Sequence, residues 1–417
     1  MKKLSLLMIS LLLFTSFLFA NGASEEKAAD EDVTLTVMWF NDANESDVFL
    51  DTISSYLEEN PNVKVDMQVV AFSEYEQKLK LMISGGNPPD IARVTNNHLA
   101  ALGTSLEPIN SYVDDISAVE DSFMPGSIAF AQNTDGELLA YPTEATANGM
   151  LVNLTAWENA GIDVQELCKT WTWDEWEEAV KKVIAANSGM KYGLALDFSP
   201  HRFSTIIYEH GGSMMNADQS EVDFNDAGTI AAIERFARLH EEGLVPSSVW
   251  LGSENPAELF QAGLVACHIG GSWNINTYNK NVKDFDWAVV NTPIAEIRSS
   301  VPGGKFIASF KDSENKEAAM DLMAAFSSKE SNEKYCAETF NLSARVDADV
   351  PYTSNKADFE VFAEDLRVTP AFTATEWKNN AVNKVYSYIR EQIVQVLMGN
   401  ISADEATKNI NKEAAKY

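Results

Sequence analysis

Cysteine, histidine and positive charge are all scarce in this chain. Three cysteines, Cys168, Cys267 and Cys336, are spread over 417 residues. They are too few and too far apart for a disulfide-stapled scaffold, and none stands at metal-ligand spacing. Their odd number leaves open one long-range disulfide in an oxidising compartment or three buried free thiols. The five histidines form no HExxH or similar cluster, so neither a metal nor another cofactor is expected. Lys and Arg number 31 against 62 Asp and Glu, a formal net charge of −31. Nucleic-acid phosphates would be repelled by such a chain. The acids are spread along the sequence, which suits solubility better than the binding of cations. Internal repeats, low-complexity tracts and catalytic signatures are absent.

Only the N-terminus carries a long apolar run. Met1-Lys2-Lys3 is positive, and Leu4 to Phe19 is apolar apart from Ser5, Ser10, Thr15 and Ser16. Ala20 and Ala23 follow as small residues suited to cleavage, so residues 1–20 read as a secretory signal rather than a spanning helix. Residues 21–32 are small, polar and acidic, the composition of a disordered lead-in. No cysteine lies near the cut to receive a lipid. The mature chain is therefore expected in the periplasm or otherwise outside the inner membrane, without a lipid anchor. Nearly 400 mature residues exceed what one core usually holds, so two lobes are expected.

From Val33 onward strand-like and helix-like patterns alternate. Val33–Phe40 is rich in strand formers, and Phe49, Ile53, Tyr56 and Leu57 mark a helix face ended by Asn60-Pro61. Residues 63–70 read as a strand. Ser73 with Glu76 has the spacing of a capping box opening a helix, and 90–94 is extended. Thr172 with Glu175 opens another helix by the same device. Strands are expected at 192–198, 264–269, 286–290 and 306–310, and the stretch 376–415 is expected to be helical. This β-α-β order predicts right-handed crossovers and parallel pairing. Of the tryptophans, Trp157, Trp173, Trp176 and Trp287 read as packing residues, while Trp171 and Trp250 have no assignment.

In open α/β sheets, ligands lie beyond the carboxyl ends of the strands. The residues at those ends are Asn41-Asp42-Ala43-Asn44, Thr95-Asn96-Asn97, Ser199-Pro200-His201 and Gly271-Ser272-Trp273. They are mostly neutral hydrogen-bonding groups with an aromatic among them. Such a set suits a polyhydroxyl ligand, whose flat faces stack on rings and whose hydroxyls need planar polar partners.

Several fragments, in order along the chain, resemble the family 1 extracellular solute-binding proteins, the maltose-binding-protein class of carbohydrate receptors. They are Glu58-Glu59-Asn60-Pro61-Asn62-Val63-Lys64-Val65, Gly85-Gly86-Asn87-Pro88-Pro89-Asp90-Ile91, and Gly136 to Pro142. Then come Leu151-Val152-Asn153 with Gly161-Ile162-Asp163 and Thr172–Trp176, and Phe260–Gly263 with Gly271-Ser272-Trp273. Pro302-Gly303-Gly304, Asn315–Ala319 and Ser327–Glu330 complete the set. Val152 and Leu139 stand where that family usually has tyrosines.

The resemblance implies an α/β, two-lobed periplasmic-binding-protein fold of type II. Each lobe would be a mostly parallel sheet flanked by helices, with three interlobe crossings near 145–150, 305–310 and 344–348. One lobe would hold 33–147 and 308–345, the other 148–307 and 346–417. It implies ligand contacts from Asn41, Asp42, Asn44, Thr95, Asn97, Glu144, Thr146, Ser199 and His201. Trp273 and Trp377 would be aromatic walls, with Gly303 and Arg345 near the crossings. The implied function is a monomeric receptor, not an enzyme, that closes on a mono- or oligosaccharide and delivers it to the permease of an ABC importer. Two alternatives remain open at this stage. One is the same fold with a peptide, polyamine or phosphate ester as cargo; the other is an exported glycoside hydrolase, which would need a pair of carboxylates.

Overall fold

The computed structural model describes residues 32–417. The signal segment 1–20 and all of the lead-in but Asp32 lie outside the described residues. The remaining chain forms two sheets that share one long strand, with helices packed on their faces.

The first sheet starts from β1 (Val33–Trp39), which pairs in parallel with β2 (Val63–Val69) on one side and β3 (Ile91–Thr95) on the other. Helices join these strands, and the parallel pairing read from the sequence is the one that forms. Val37, Met38 and Trp39 bury completely at the end of β1, and Phe49 and Ile53 of the following helical segment pack beneath them. The helix Phe72–Ser84 begins one residue before Ser73 and makes no side-chain cap, so the expected box there does not form. The Thr172 box does form. Thr172 Oγ1 accepts from the Glu175 amide at 3.2 Å, and Glu175 Oε2 accepts from the Thr172 amide at 2.8 Å.

The shared strand is β4 (Tyr141–Asn153), thirteen residues buried from end to end. Its sequence, with Pro142, Glu144, Thr146, Asn148 and Gly149, has no strand signature, and sequence patterning passed it over. The second sheet adds β5 (Tyr192–Leu196), β6 (Val265–Gly271) and β7 (Trp287–Val290). β8 (Pro302–Ser309) and the short β9 (Leu342–Ser343) return to the first sheet. Residues 141–147 of β4 pair with β8, and residues 148–153 pair with β6 and β7. The path runs β2-β1-β3-β8-β4-β6-β5. β5 and β6 are parallel, whereas β4 and β8, the strands that join the sheets, are antiparallel to their neighbours.

All three cysteines are buried free thiols. Trp171 and Trp250, unassigned from sequence, are core residues whose indole N–H groups donate to the Asn291 and Leu196 carbonyls at 3.0 and 3.1 Å. Trp157, Trp173 and Trp176 are buried as expected, and Trp287 packs at the edge of the same core.

A buried acid lies beside the second sheet, on the helix Lys356–Val368. Asp365, fully buried, accepts from Asn291 Nδ2 at 2.9 Å through one oxygen only. Burial pushes its carboxyl up to about 7, against the weaker opposing pull of Asn291 and Arg298. A raised acid favours the neutral form in the fold. Its share of stability is complete below about 3.8 and is lost as pH rises through 7. Asp365→Asn should therefore flatten the fall in melting temperature between pH 5 and 8, gaining about 2 °C or more on the parent chain over that interval. Parallel melting curves across the interval would show that Asp365 does not titrate there.

Candidate functional site

The ends of β1, β3, β5 and β6 and the junction of β4 with β8 converge on one cavity of about 350 Å³. Each loop around it is locked by its own hydrogen bonds. After β1, Asn41 exchanges bonds of 2.8 Å with the hydroxyl and amide of Ser46. Glu45 Oε2 accepts from the amides of Asp42 and Ala43 at 2.9 and 2.8 Å. After β3, Thr95 caps the helix Asn96–Leu102, and its amide donates to His98 Nδ1 at 3.2 Å. Burial lowers the His98 pKa to about 4, so the ring stays neutral and can accept that bond. After β5, Ser199 caps the helix Pro200–Glu209, and its hydroxyl shares a 2.8 Å bond with the Tyr386 hydroxyl.

Beneath the cavity lies a cluster of four charges. Arg93 of β3 is fully buried and donates to Glu144 of β4 at 3.0 and 3.2 Å and to the Phe40 carbonyl at 2.6 Å. Lys305 of β8 binds Asp42 and lies 2.9 Å from Glu144 Oε1. Asp42 Oδ2 is also 3.7 Å from Arg93. Two cations thus face two carboxylates. Burial raises the Asp42 carboxyl, but Lys305 and Arg93 outweigh burial and hold it below its usual range. Asp42 accordingly stays ionised at the cavity wall.

The aromatic walls come from opposite sides. Phe72, just after β2, is 57% exposed at the rim, and Phe40 lies buried below it with ring centroids 4.9 Å apart. Trp273 faces them from the end of β6. A Cβ on Gly271 would sit 1.9 Å from the Trp273 ring, so only glycine lets the indole lie against the strand. The Arg202 guanidinium stacks on the same ring at 4.3 Å. His201 is buried beside it. Burial, and then the charge of Arg202, lower its pKa well below 6.5, and the neutral Nδ1 accepts from Arg202 Nη1 at 2.7 Å.

Of the residues implied by the resemblance, Asp42, Thr95, Asn97, Thr146, Ser199, His201 and Trp273 line the cavity. The others stand elsewhere. Asn41 is spent inside its loop, and Glu144 lies below the wall in the charge cluster. Asn44 accepts from Asn276 Nδ2 at 2.8 Å and from Lys280 at 3.3 Å, bridging to the helix Asn274–Asn281 that follows Trp273. Gly303 backs onto Thr146, and its neighbour Gly304 lines the cavity instead. Arg345 points away, held by Asp347 and the Ser327 carbonyl over the Phe123 ring. Trp377 is fully buried behind His201, its N–H on Ser204 Oγ at 3.1 Å, and is a supporting residue rather than a wall.

Phe40, Phe72, Asn96, Arg202, Gly304, Lys305 and Tyr386 also line the cavity and were not among the expected contacts. Phe72 follows a strand end and obeys the rule that found the others. Lys305 sits inside a strand and Tyr386 on a distant helix, so no local signal marks them.

Comparisons with known proteins agree with this architecture. The family described as bacterial extracellular solute-binding protein matches residues 51–360. A binding protein of Brucella abortus is 23% identical over 374 residues, covering 85% of this chain and 88% of that protein. The arabinooligosaccharide-binding protein of Halalkalibacterium halodurans is 22% identical over 319 residues, covering 73% of this chain and 70% of its own. Among solved structures, the ABC substrate-binding protein Lmo0181 from Listeria monocytogenes, in complex with cycloalternan, superposes with a TM-score of 0.79 at 22% identity. The match covers 92% of this chain and 98% of that one.

Removing one partner from a buried ion pair leaves the other charge uncompensated, at about 3–5 kcal/mol. Arg93→Met should cost that much in urea unfolding, and adding Glu144→Leu should recover a large part. Equal losses in the single and double variants would mean that the pair is not the coupled unit described here.

Proposed function

This chain belongs to the bacterial extracellular solute-binding proteins, and from that premise we propose that it captures a mono- or oligosaccharide for an ABC importer. It acts as an exported monomeric receptor without a lipid anchor or a cofactor. It grips the sugar by hinge closure and hands it unaltered to a membrane permease.

The observation that carries this reading is the make-up of the cavity. Phe72 offers an exposed aromatic face, Trp273 lines the opposite side beneath the Arg202 guanidinium, and Thr95, Asn96, Asn97, Thr146 and Ser199 supply neutral donors and acceptors between them. Stacking a sugar face on such a ring adds on the order of 1 kcal/mol beyond burial, and fixed amides and hydroxyls orient the ligand hydroxyls. Asp42 is the one acidic side chain on the wall, and it is bound to Lys305. Hydrolysis of a glycoside by the usual route needs two carboxylates flanking the bond. The arabinooligosaccharide receptor and the cycloalternan complex support the same class of ligand.

The two lobes are 33–147 with 308–345, and 148–307 with 346–417. β4 and β8 serve as two of the crossings, and the chain after β9 as the third. Asn276 latches the closed form. Its amide, 3% exposed, bonds both Asn44 and the Thr339 carbonyl, at 2.8 and 3.0 Å. The helix that carries this residue starts directly after Trp273. A ligand touching Trp273 therefore steadies the element that holds the closed form, which is the differential contact a population shift requires.

Calorimetry against a panel of mono- and oligosaccharides tests the reading, with a thermal-shift screen to find the ligand. Trp273→Ala should weaken binding at least tenfold, about 1.4 kcal/mol, without unfolding the chain. Unchanged affinity would remove Trp273 from the site, and silence across the whole panel would remove the carbohydrate reading. Asn276→Ala should raise the dissociation rate several-fold while leaving the association rate nearly unchanged. Equal dissociation rates would discard the latch.

A further inference from the structure

We propose that the sugar bound by this chain carries a carboxylate, as in a uronic acid or an oligouronide, and that Arg202 receives it. The inference rests on the carbohydrate reading and narrows it.

The chain as a whole is strongly acidic, at −31. Its cavity is not: the charged side chains on the wall are Asp42, Arg202 and Lys305, two cations and one anion. Lys305 is already committed to Asp42 and Glu144. Arg202 is held differently. Its Nη1 donates to His201 Nδ1 at 2.7 Å, and its Nε stands 3.4 Å from Asp197 Oδ2 without a hydrogen bond. The other Asp197 oxygen meets His268 Nε2 at 2.9 Å. Among the described residues, no hydrogen bond involves Arg202 Nη2. The guanidinium carbon lies 4.3 Å over the Trp273 ring, and its side chain is 19% exposed. It is therefore a guanidinium fixed in place on the cavity wall before the ligand arrives, paired with Asp197 through Nε and with Nη2 outside its hydrogen bonds.

Two features say what Nη2 is for. His201, which takes the Nη1 proton bond, is a neutral acceptor, and Asp197 pairs with the Nε side at 3.4 Å, so neither partner uses the Nη2 donors. A hydrogen bond from a cation to a carboxylate is roughly twice as strong as one to a neutral hydroxyl. Position gives the second argument. A sugar in the cavity would meet Arg202 on the same wall as the Ser199 and Tyr386 hydroxyls, within reach of a ring substituent. A carboxylate on the ring fills that place with two acceptor oxygens.

The same wall limits the ligand to a single negative charge. Asp42 remains ionised and faces the cavity, with both nearby cations spent on it and on Glu144. A phosphate dianion would meet Asp42 with only Arg202, itself paired with Asp197, to offset it. A carboxylate monoanion brings the smaller charge to that balance.

Calorimetry on the full exported chain would compare matched ligands: glucuronate and galacturonate with glucose and galactose, and di- and trigalacturonate with their neutral counterparts. Glucose 6-phosphate and galactose 6-phosphate form a third arm. At least one uronide should bind tenfold or more tightly than its neutral twin. Raising the salt from 20 to 500 mM should shrink that ratio. Arg202→Gln should abolish the preference, and Arg202→Lys should retain part of it at an unchanged melting temperature. Neutral sugars binding as tightly as uronides would overturn the inference and leave the carbohydrate reading standing. A sugar phosphate binding more tightly than every uronide would overturn it too. Failure of all three arms would take the carbohydrate reading down with it.

Discussion

The site depends on a buried charge balance. Arg93, Glu144, Lys305 and Asp42 arrive from β3, β4, β8 and the loop after β1, and each needs the others to be tolerable inside the protein. An isolated buried charge costs several kcal/mol, so this set locks the relative positions of four chain segments. Arg93 also donates to the Phe40 carbonyl, which ties the loop that starts the ligand wall to the same point. The cluster has no net charge. It can therefore underlie a cavity for a polar ligand without imposing a strong field of its own.

Above it, the wall is built from groups whose freedom has been removed in advance. Asn41 and Glu45 close one loop, Thr95 and His98 another, and Ser199 with Tyr386 a third. Trp273 is placed by a glycine on one side and a guanidinium on the other. Side chains ordered before binding have less conformational entropy to lose when the ligand arrives. Asn276, on the helix that begins beside Trp273, ties that helix to Asn44 and to the Thr339 carbonyl. Under the proposed hinge closure, ligand contact and closure would share one element.

Much of this was legible along the chain because it obeys local rules. The β1–β2–β3 crossover unit and the Thr172 box follow from period and capping. The Ser73 box has the same spacing and did not form, because the helix had already started at Phe72. The strand-end rule found Asp42, Thr95, Asn97, Ser199, His201 and Trp273 on the cavity wall. Arg345 and Trp377 were placed wrongly in detail by the family pattern. An arginine beside Asp347 satisfies its charge there, and a tryptophan with Ser204 as partner is better buried than exposed.

By itself the sequence determined the α/β class, the order of strands and helices in the first sheet and the kind of side chains at the strand ends. Those properties reside in runs of neighbouring residues. Tertiary structure alone decided the rest. β4 is a strand because Glu144 and Asn148 find partners from β3, β8 and the helix Pro200–Glu209, more than 50 positions away. Lys305 and Tyr386 reach the wall from elements with no ligand signature of their own. Polar groups become buried structure or open contacts according to what lies across from them, and no local pattern encodes what lies across.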